Sequence, residues 1–263
     1  MSDLLQDLTD GVLTLTFNRI DKKNSLTQAM YVALTEAFDR AASDSAVRVV
    51  VIQGDATVFC AGNDIGDFLT RSQAAASGAV DATSTDRPVF AFLHTLASFP
   101  KPLVAAVCGP AVGVGATMLL HCDLVYAGDN AAFSLPFVNL GVCPEAGSSL
   151  LLPQMLGYHR AAEALLLGEP FMAEAALEVG LVNRVLPPTG ANAYAQAQAR
   201  KLAAKSQASL IETKRLLKKS QLDAVQARIQ EEGESFGRLM AGPAAREAFT
   251  AFMEKRKPDF SGL

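Results

Sequence analysis

The sequence predicts an α/β fold whose layers stack, and three observations predict it. Strand-like apolar runs alternate with stretches of helical period. Glycine-containing turns repeatedly follow a strand and open a helix, a recurring strand–turn–helix unit that fits neither an all-β nor an all-α chain. Near residue 190 the composition shifts, and the remainder reads as helix.

Each element follows from its local pattern. "GVLTLTFNR" (11–19) alternates, with Leu13, Leu15 and Phe17 on one face, and is a strand. "SLTQAMYVALTEAFDRAASD" carries Met30, Leu34, Phe38 and Ala41 at helical spacing. "VRVVVIQG" (47–54) is a β-branched run closed by glycine, hence a buried strand. "TVFCAGNDIGDF" is turn-rich, and "RSQAAASGAVDATSTD" (71–86) is small and polar, which reads as a mobile loop. A helix is expected over 88–98 and a strand over 103–108. "AVGVGATMLLHCD" is a glycine turn opening a short helix, and "DLVYAGDNAAFSLP" holds two short extended pieces. No exact repeat is visible.

From "ANAYAQAQARKLAAKSQ" onward the chain is rich in Ala, Gln, Lys and Glu, broken by "AGP" (241–243) and restarted by "AAREAFTAFMEKR". Val225, Ile229, Phe236, Leu239 and Met240 form one apolar stripe; Phe249, Phe252 and Met253 form another. Two units are expected: a core over 1–199, and a helical segment over 200–263 that covers the core or a neighbouring subunit.

Composition narrows the function. The chain has 263 residues, 50% of them hydrophobic, which suits a globular core. A net charge of -4 argues against a nucleic-acid partner. Cys60, Cys108, Cys122 and Cys143 form no C-x-x-C pair and show no Cys/His ligand spacing, so no metal site is expected and reduced thiols are. The acidic "MSDLLQDLTD" reads as no signal or transit peptide, and no run reaches the ~18 apolar residues of a membrane span. "SGL" lacks the central basic residue of a peroxisomal address, so a cytoplasmic location is the expectation.

Several residues invite a chemical reading, each beside a plainer one. "CAGND" (60–64) and "GPAVGVGAT" (109–117) expose backbone N–H groups that can hold an oxygen developing negative charge; each is also an ordinary strand-to-helix turn. "GVGATM" has two glycines of a dinucleotide loop, but Met118 stands where the third belongs. "HCD" (121–123) reads as a helix end leading into a strand, His94 and His159 are isolated, and Ser148 and Ser149 sit in no nucleophile elbow. Lys214, Arg215, Lys218 and Lys219 read as a solvated helix face. Glu145 stands out in "LGVCPEAGSS": an acid after a proline, between apolar runs, whose ionised form would be disfavoured and whose pKa would rise towards that of a general base. An exposed turn residue is the plainer alternative.

Together these pieces resemble the crotonase family of enoyl-CoA hydratases and isomerases. The landmarks are "FNRIDKKNSLTQAM", "VFCAGNDI", "GPAVGVGATMLLHCDLVYAGDNAAFSLPFVNLGVCPEAGSS", "GLVNRVLPP" and "AFMEKRKPDF", in order from Val12 to about Phe260. The resemblance implies a crotonase-like ββα spiral core with a C-terminal helical segment. It implies an acyl-CoA substrate, with coenzyme A entering as the thioester and no other cofactor. It implies that the amides of Asn63 and Val114 polarise the thioester carbonyl. Ala61, Gly62, Asp64, Ile65, Gly113, Thr117, Phe137 and Leu140 would bind substrate. Lys22, Lys23, Lys255 and Lys257 are candidates for the CoA phosphates, and a homotrimer or a dimer of trimers is implied. The family's hydratases carry two water-activating glutamates; here those positions are Thr117 and Phe137. Glu145 falls where the peroxisomal-type 3-enoyl-CoA to 2-enoyl-CoA isomerases carry their single catalytic glutamate, and the "GND", "GPAVG" and "PF…LG…PE…SS" segments match that branch. A proton-shuttling isomerase is therefore expected. Hydration, thioester hydrolysis or dehalogenation, a non-catalytic acyl-CoA-binding protein, and a nicotinamide oxidoreductase are the rivals.

Overall fold

The computed structural model describes residues 2–76 and 87–263. In chain order the first half contains β1 (Leu4–Thr9), β2 (Val12–Phe17), α1 (Gln28–Ser43), β3 (Val49–Gln53), α2 (Ile65–Ala76), α3 (Pro88–Ser98), β4 (Leu103–Val107), β5 (Pro110–Val112), α4 (Val114–Thr117), β6 (Leu124–Gly128) and β7 (Ala132–Ser134). The second half contains α5 (Ser148–Leu156), α6 (Tyr158–Ala162), β8 (Phe171–Met172), α7 (Ala173–Glu178), β9 (Arg184–Leu186), α8 (Pro188–Ala203), α9 (Gln207–Lys218), α10 (Leu222–Met240) and α11 (Pro243–Met253).

One sheet runs β1-β2-β3-β4-β6-β9, and a smaller one β5-β7-β8. β1 joins β2 through a two-residue turn and is antiparallel; β2, β3, β4, β6 and β9 pair in parallel. The run "VVVI" in β3 is buried throughout because the sheet is covered on both faces. Val50 and Ile52 join Leu13, Leu15 and Phe17 in the main core, with Tyr31, Leu34 and Phe38 of α1. Val49 and Val51 point the other way, onto Ala195, Ala199 and Ala203 of α8. Alanine at every fourth position lets that helix lie close on the sheet.

Several expectations are corrected. β1 was not foreseen: only Leu4 of its six residues is buried, so the strand carries no alternating signal. Residues 71–76 continue α2 rather than forming a loop, and the rest of the segment 71–86 lies outside the described residues. The expected boundary at 199/200 falls inside α8. In the apolar stripes, Val225, Ile229, Phe236, Met240 and Phe249 are buried, but Leu239, Phe252 and Met253 are exposed. Lys214 is not solvated. It is buried, with Nζ donating to Lys101 O and Asp123 Oδ2, each at 2.7 Å. Among the described residues no helix is long and apolar enough to cross a membrane, and no group of three or more His, Cys, Asp or Glu could hold a metal.

Candidate active site

Two backbone bridges assemble the site. Cys60, beyond β3, pairs with Ala111 of β5: Cys60 N donates to Pro110 O at 3.0 Å and Val112 N to Cys60 O at 2.9 Å. The glycine turns at 60–64 and 109–117 thus lie side by side. Gly62 and Gly115 permit this approach, since a Cβ on Gly62 would sit 2.9 Å from Val112 O and one on Gly115 2.6 Å from Cys60 O. Leu26 bridges Asn63 from the other side, with Leu26 N donating to Gly62 O and Asp64 N to Leu26 O, both near 3 Å (2.8 and 3.0 Å). That pattern uses the groups flanking Asn63 and turns the Asn63 N–H away from Leu26. Val114 opens α4, so its N–H has no intrahelical acceptor. Among the described residues neither amide has a hydrogen-bond acceptor. The Asn63 side chain is held by Tyr31, whose hydroxyl donates to Oδ1 at 2.5 Å.

Glu145 enters from the turn before α5. It is buried, at 6% exposure, so it is no exposed turn residue. Thr117 Oγ1 donates to Glu145 Oε1 at 2.5 Å, and Oε2 has no partner among the described residues. Burial pushes the Glu145 carboxyl up to about 8, although the Thr117 hydrogen bond favours the ionised form; the nearby Glu232 carboxylate pushes it up further. Ala146 and Gly147 both take left-handed φ angles, 62° and 70°. For Ala146 that costs about 1 kcal/mol, and the surrounding bonds hold it there. His121 Nε2 meets Ala146 O at 2.8 Å, and Ser148 Oγ donates to Glu145 O at 2.6 Å. Glu232 of α10 takes the Gly147 and Ser149 amides at 2.6 and 2.9 Å. Burial, and secondly Lys218, push His121 down to about 3, so its ring is neutral and donates from Nε2 to the carbonyl.

Two adjoining spaces meet at Asn63. The larger cleft holds about 1570 Å³ of empty space. Ala61, Gly62, Asp64, Ile65, Gly113, Phe137 and Leu140 line it, with Lys22 and Lys23. The smaller cavity, about 490 Å³, is lined by Asn63 and Glu145, and by Phe90, Leu93, Phe236 and Met240 among others. Phe236 borders both. The expectations for Thr117, Lys255 and Lys257 need correction, since none of them lines either space. Thr117 is fully buried and lines neither space; it reaches the site only through Glu145. Lys255 and Lys257 are exposed and line neither, because Arg256 pins the tail back onto Glu247 and Glu254 at 2.5 and 2.7 Å. Asp64 borders the cleft but is committed to Arg19 at 2.7 Å and to the first amides of α2, which hold its carboxyl below the usual range.

Glu232 and His121 are the residues that sequence reasoning missed. Glu232 sits in a charge-rich helix with no local mark of burial. "HCD" gave His121 a structural reading, with no hint that its ring grips the turn bearing Glu145. Cys60, buried and pushed up to about 12, is not a poised nucleophile.

A family model described as enoyl-CoA hydratase/isomerase matches residues 7–262. The chain belongs to the crotonase family. It is thus an enzyme of the enoyl-CoA hydratase/isomerase superfamily, with the crotonase fold. Among its relatives, 2,3-dehydroadipyl-CoA hydratase of Escherichia coli (strain K12) is 37% identical over 262 residues, covering 100% of both chains. Enoyl-CoA delta isomerase 2 of Rattus norvegicus is 36% identical over 254 residues, which are 94% of this chain and 62% of that longer protein. The structure of Pseudomonas aeruginosa OdaA superposes with a TM-score of 0.90 at 44% identity, over 96% of this chain and 99% of that one. Relatives named for hydration and for isomerisation therefore stand at nearly equal distance, and the choice between them falls to the site.

Proposed function

We propose that the protein moves the double bond of a 3-enoyl-CoA into conjugation, giving the 2-enoyl-CoA. One observation carries this reading: Glu145 is buried with one oxygen held by Thr117 and the other unpartnered among the described residues, beside a cavity it shares with Asn63. Thr117 and Phe137 stand where the family's hydratases place two water-activating carboxylates. Threonine is no base at neutral pH, and Phe137, 5% exposed, dries the wall.

In this mechanism the thioester oxygen lies between the Asn63 and Val114 amides. Glu145 takes a proton from carbon 2, and the C–H electron pair moves towards the thioester, placing negative charge on its oxygen. The same carboxyl returns the proton at carbon 4 as the double bond shifts between carbons 2 and 3. One group serves both carbons if it lies over the middle of the allylic unit. Each oxyanion donor contributes about 3 kcal/mol to such a transition state, and a general base about a hundredfold or more in rate. Lys22 and Lys23 border the cleft, which supports a role for them in meeting the CoA phosphates. A homotrimer or dimer of trimers is the proposed assembly; the exposed Leu239, Phe252 and Met253 are consistent with a covered face, and light scattering tests it.

Hydration is the second reading, favoured by the full-length hydratase relative. The two separate cleanly. Isomerisation of a 3-enoyl-CoA panel produces the ultraviolet absorbance of a conjugated thioester with no gain in mass, whereas hydration of the conjugated product in ¹⁸O water incorporates label. Wild-type activity that yields only labelled hydroxyacyl-CoA, or a Glu145→Gln variant that isomerises at the wild-type rate, overturns the proposal.

A further inference from the structure

Two grooves share no lining residue with the active-site spaces. The larger, about 910 Å³, is walled by Phe99, Pro100, Ile211 and Leu222; the smaller, about 390 Å³, by Leu120, Leu151, Leu217 and Val225. Lys218, the last residue of α9, borders both. The proton shuttle uses none of these residues. We propose that Lys218 is a modification site: its amine takes the acyl group of an acyl-CoA whose chain lies in these grooves, and a stable amide results. This rests on the acyl-CoA class of substrate in the reading above and not on the double-bond shift.

The amine is held in place and lacks a counter-ion. Lys218 stands on the helix face read as solvated, yet it is half-buried, with Nζ donating to His121 O at 3.2 Å. Among the described residues it has no ion pair, because the neighbouring Asp123 is taken by Lys214 Nζ and by the Leu103 amide, each at 2.7 Å. The two fully buried lysines differ: Lys101 Nζ donates to three carbonyls, and Lys214 Nζ to Asp123 and Lys101 O, so both are engaged on several sides. Burial pushes the Lys218 amine down to about 8, the Lys214 charge pushes it further, and Asp123 only partly opposes them. His121 and Cys122 beside it are uncharged at neutral pH. Around the larger groove Arg215 is paired with Glu212 at 2.6 Å, and Lys219 and Asp223 are exposed.

The surroundings match the chemistry. A desolvated amine beside another cation is a nucleophile near neutral pH. The apolar walls fit a hydrocarbon chain, and the exposed Lys219 offers a charge to the CoA phosphates. The neutral Nζ attacks the thioester carbonyl carbon; a C–N bond forms and the C–S bond breaks. The nitrogen sheds one proton and the departing CoA thiolate takes one up, so no further reagent is needed. The remaining N–H of the amide can still donate to His121 O, while the positive charge that Lys214 repels is gone. Both effects favour the acylated form.

The test incubates the full chain near neutral pH with hexanoyl-CoA or, separately, acetyl-CoA, both saturated and inert to isomerisation. Proteolysis after acidic residues leaves Lys214, Lys218 and Lys219 in one fragment, and mass spectrometry with fragmentation counts the acyl group at each. Hexanoyl-CoA labels Lys218 about tenfold faster than Lys219: the neutral amine is about a hundredfold more abundant than in an ordinary lysine, and its lower basicity takes part of that back, as it does for thiols. Labelling of Lys218 levels off above about pH 8, whereas an ordinary lysine keeps climbing. Hexanoyl-CoA outpaces acetyl-CoA severalfold at Lys218 and not at Lys219, because only the grooves hold the chain. In Glu145→Gln the Lys218 rate is unchanged, so failure of isomerisation and failure of acylation are read separately. Labelling of Lys218 no faster than of Lys219, a rate there indifferent to chain length or still climbing well above pH 8, or a rate that depends on Glu145 overturns the inference.

Discussion

Thr117 holds Glu145 by one oxygen only: Oγ1 donates to Oε1 at 2.5 Å while Oε2 stays without a partner among the described residues. A carboxylate fixed at one oxygen and open at the other is oriented for proton transfer. Because the hydroxyl stabilises the charged form, Thr117→Val should raise the Glu145 midpoint further, by about one pKa unit. The profile of kcat/KM against pH checks this: in the wild type it climbs through about pH 8, following ionisation of Glu145, and in the variant it climbs later with little change in plateau. An unmoved profile means the hydrogen bond does not tune the base.

Glu145 also makes stability depend on pH. Its folded midpoint, about 8, lies above the ordinary value of 4.5. Below the ordinary value both states are protonated and burial of this group carries no charge penalty. As pH rises through the window between the two values the unfolded chain releases the proton and the folded chain retains it, so stability is lost until the folded midpoint is passed. Glu145→Gln removes that loss. Its stability relative to wild type should improve by a few kcal/mol between about pH 5 and about pH 9, given about 1.4 kcal/mol per unit. Urea denaturation at both pH values decides it; a constant difference between the two proteins contradicts the raised midpoint.

Two buried lysines support the back of the core. Lys101 Nζ donates to the carbonyls of Ala41, Asp44 and Val47 at 2.6, 2.7 and 2.8 Å, and Lys214 bridges Lys101 O to Asp123. Asp123 in turn accepts the Leu103 amide at 2.7 Å. Lys214→Met leaves a partly buried carboxylate without its cation, so unfolding free energy should fall by about 3 kcal/mol. Lys214→Met with Asp123→Asn should recover part of that loss, as a double-mutant cycle in denaturant will show. Activity per folded molecule should stay constant, because neither residue lines the active-site cavities.

What could be read from the sequence and what could not divide along a physical line. α1, α3, β3 and β4 were legible because their apolar positions follow one face of a helix or fill a strand. Glu145 was legible because a lone acid between "FSLPFVNL" and "LLLPQML" is chemically conspicuous. β1 was hidden because an edge strand with one buried residue has no period. The continuation of α2 through 71–76 was hidden because its small residues mimic a loop. Lys214 looked solvated because its partner, Asp123, lies 91 positions away. The Thr117–Glu145 and Glu232–Gly147 bonds span 28 and 85 positions, and spacing along the chain encodes neither.

Glu232 gives the sharpest separation between holding a turn and tuning a base. Both its oxygens are occupied, Oε2 by Gly147 N and Oε1 by Ser149 N, and it lies near enough to Glu145 to raise the midpoint of that group by like charge. Glu232→Gln keeps one acceptor and removes the charge. The turn should survive, with KM nearly unchanged, while the climb of kcat against pH moves to lower pH because Glu145 ionises more easily. Glu232→Ala removes both acceptors and strands the buried Gly147 amide, costing about 1–3 kcal/mol, and the part-buried Ser149 amide; stability should fall, and kcat should fall more than KM rises as the left-handed Ala146–Gly147 pair loosens. A purely structural glutamate predicts a weakened Glu232→Ala and an unshifted pH profile in Glu232→Gln. The position of that profile is therefore the measurement that distinguishes the two roles.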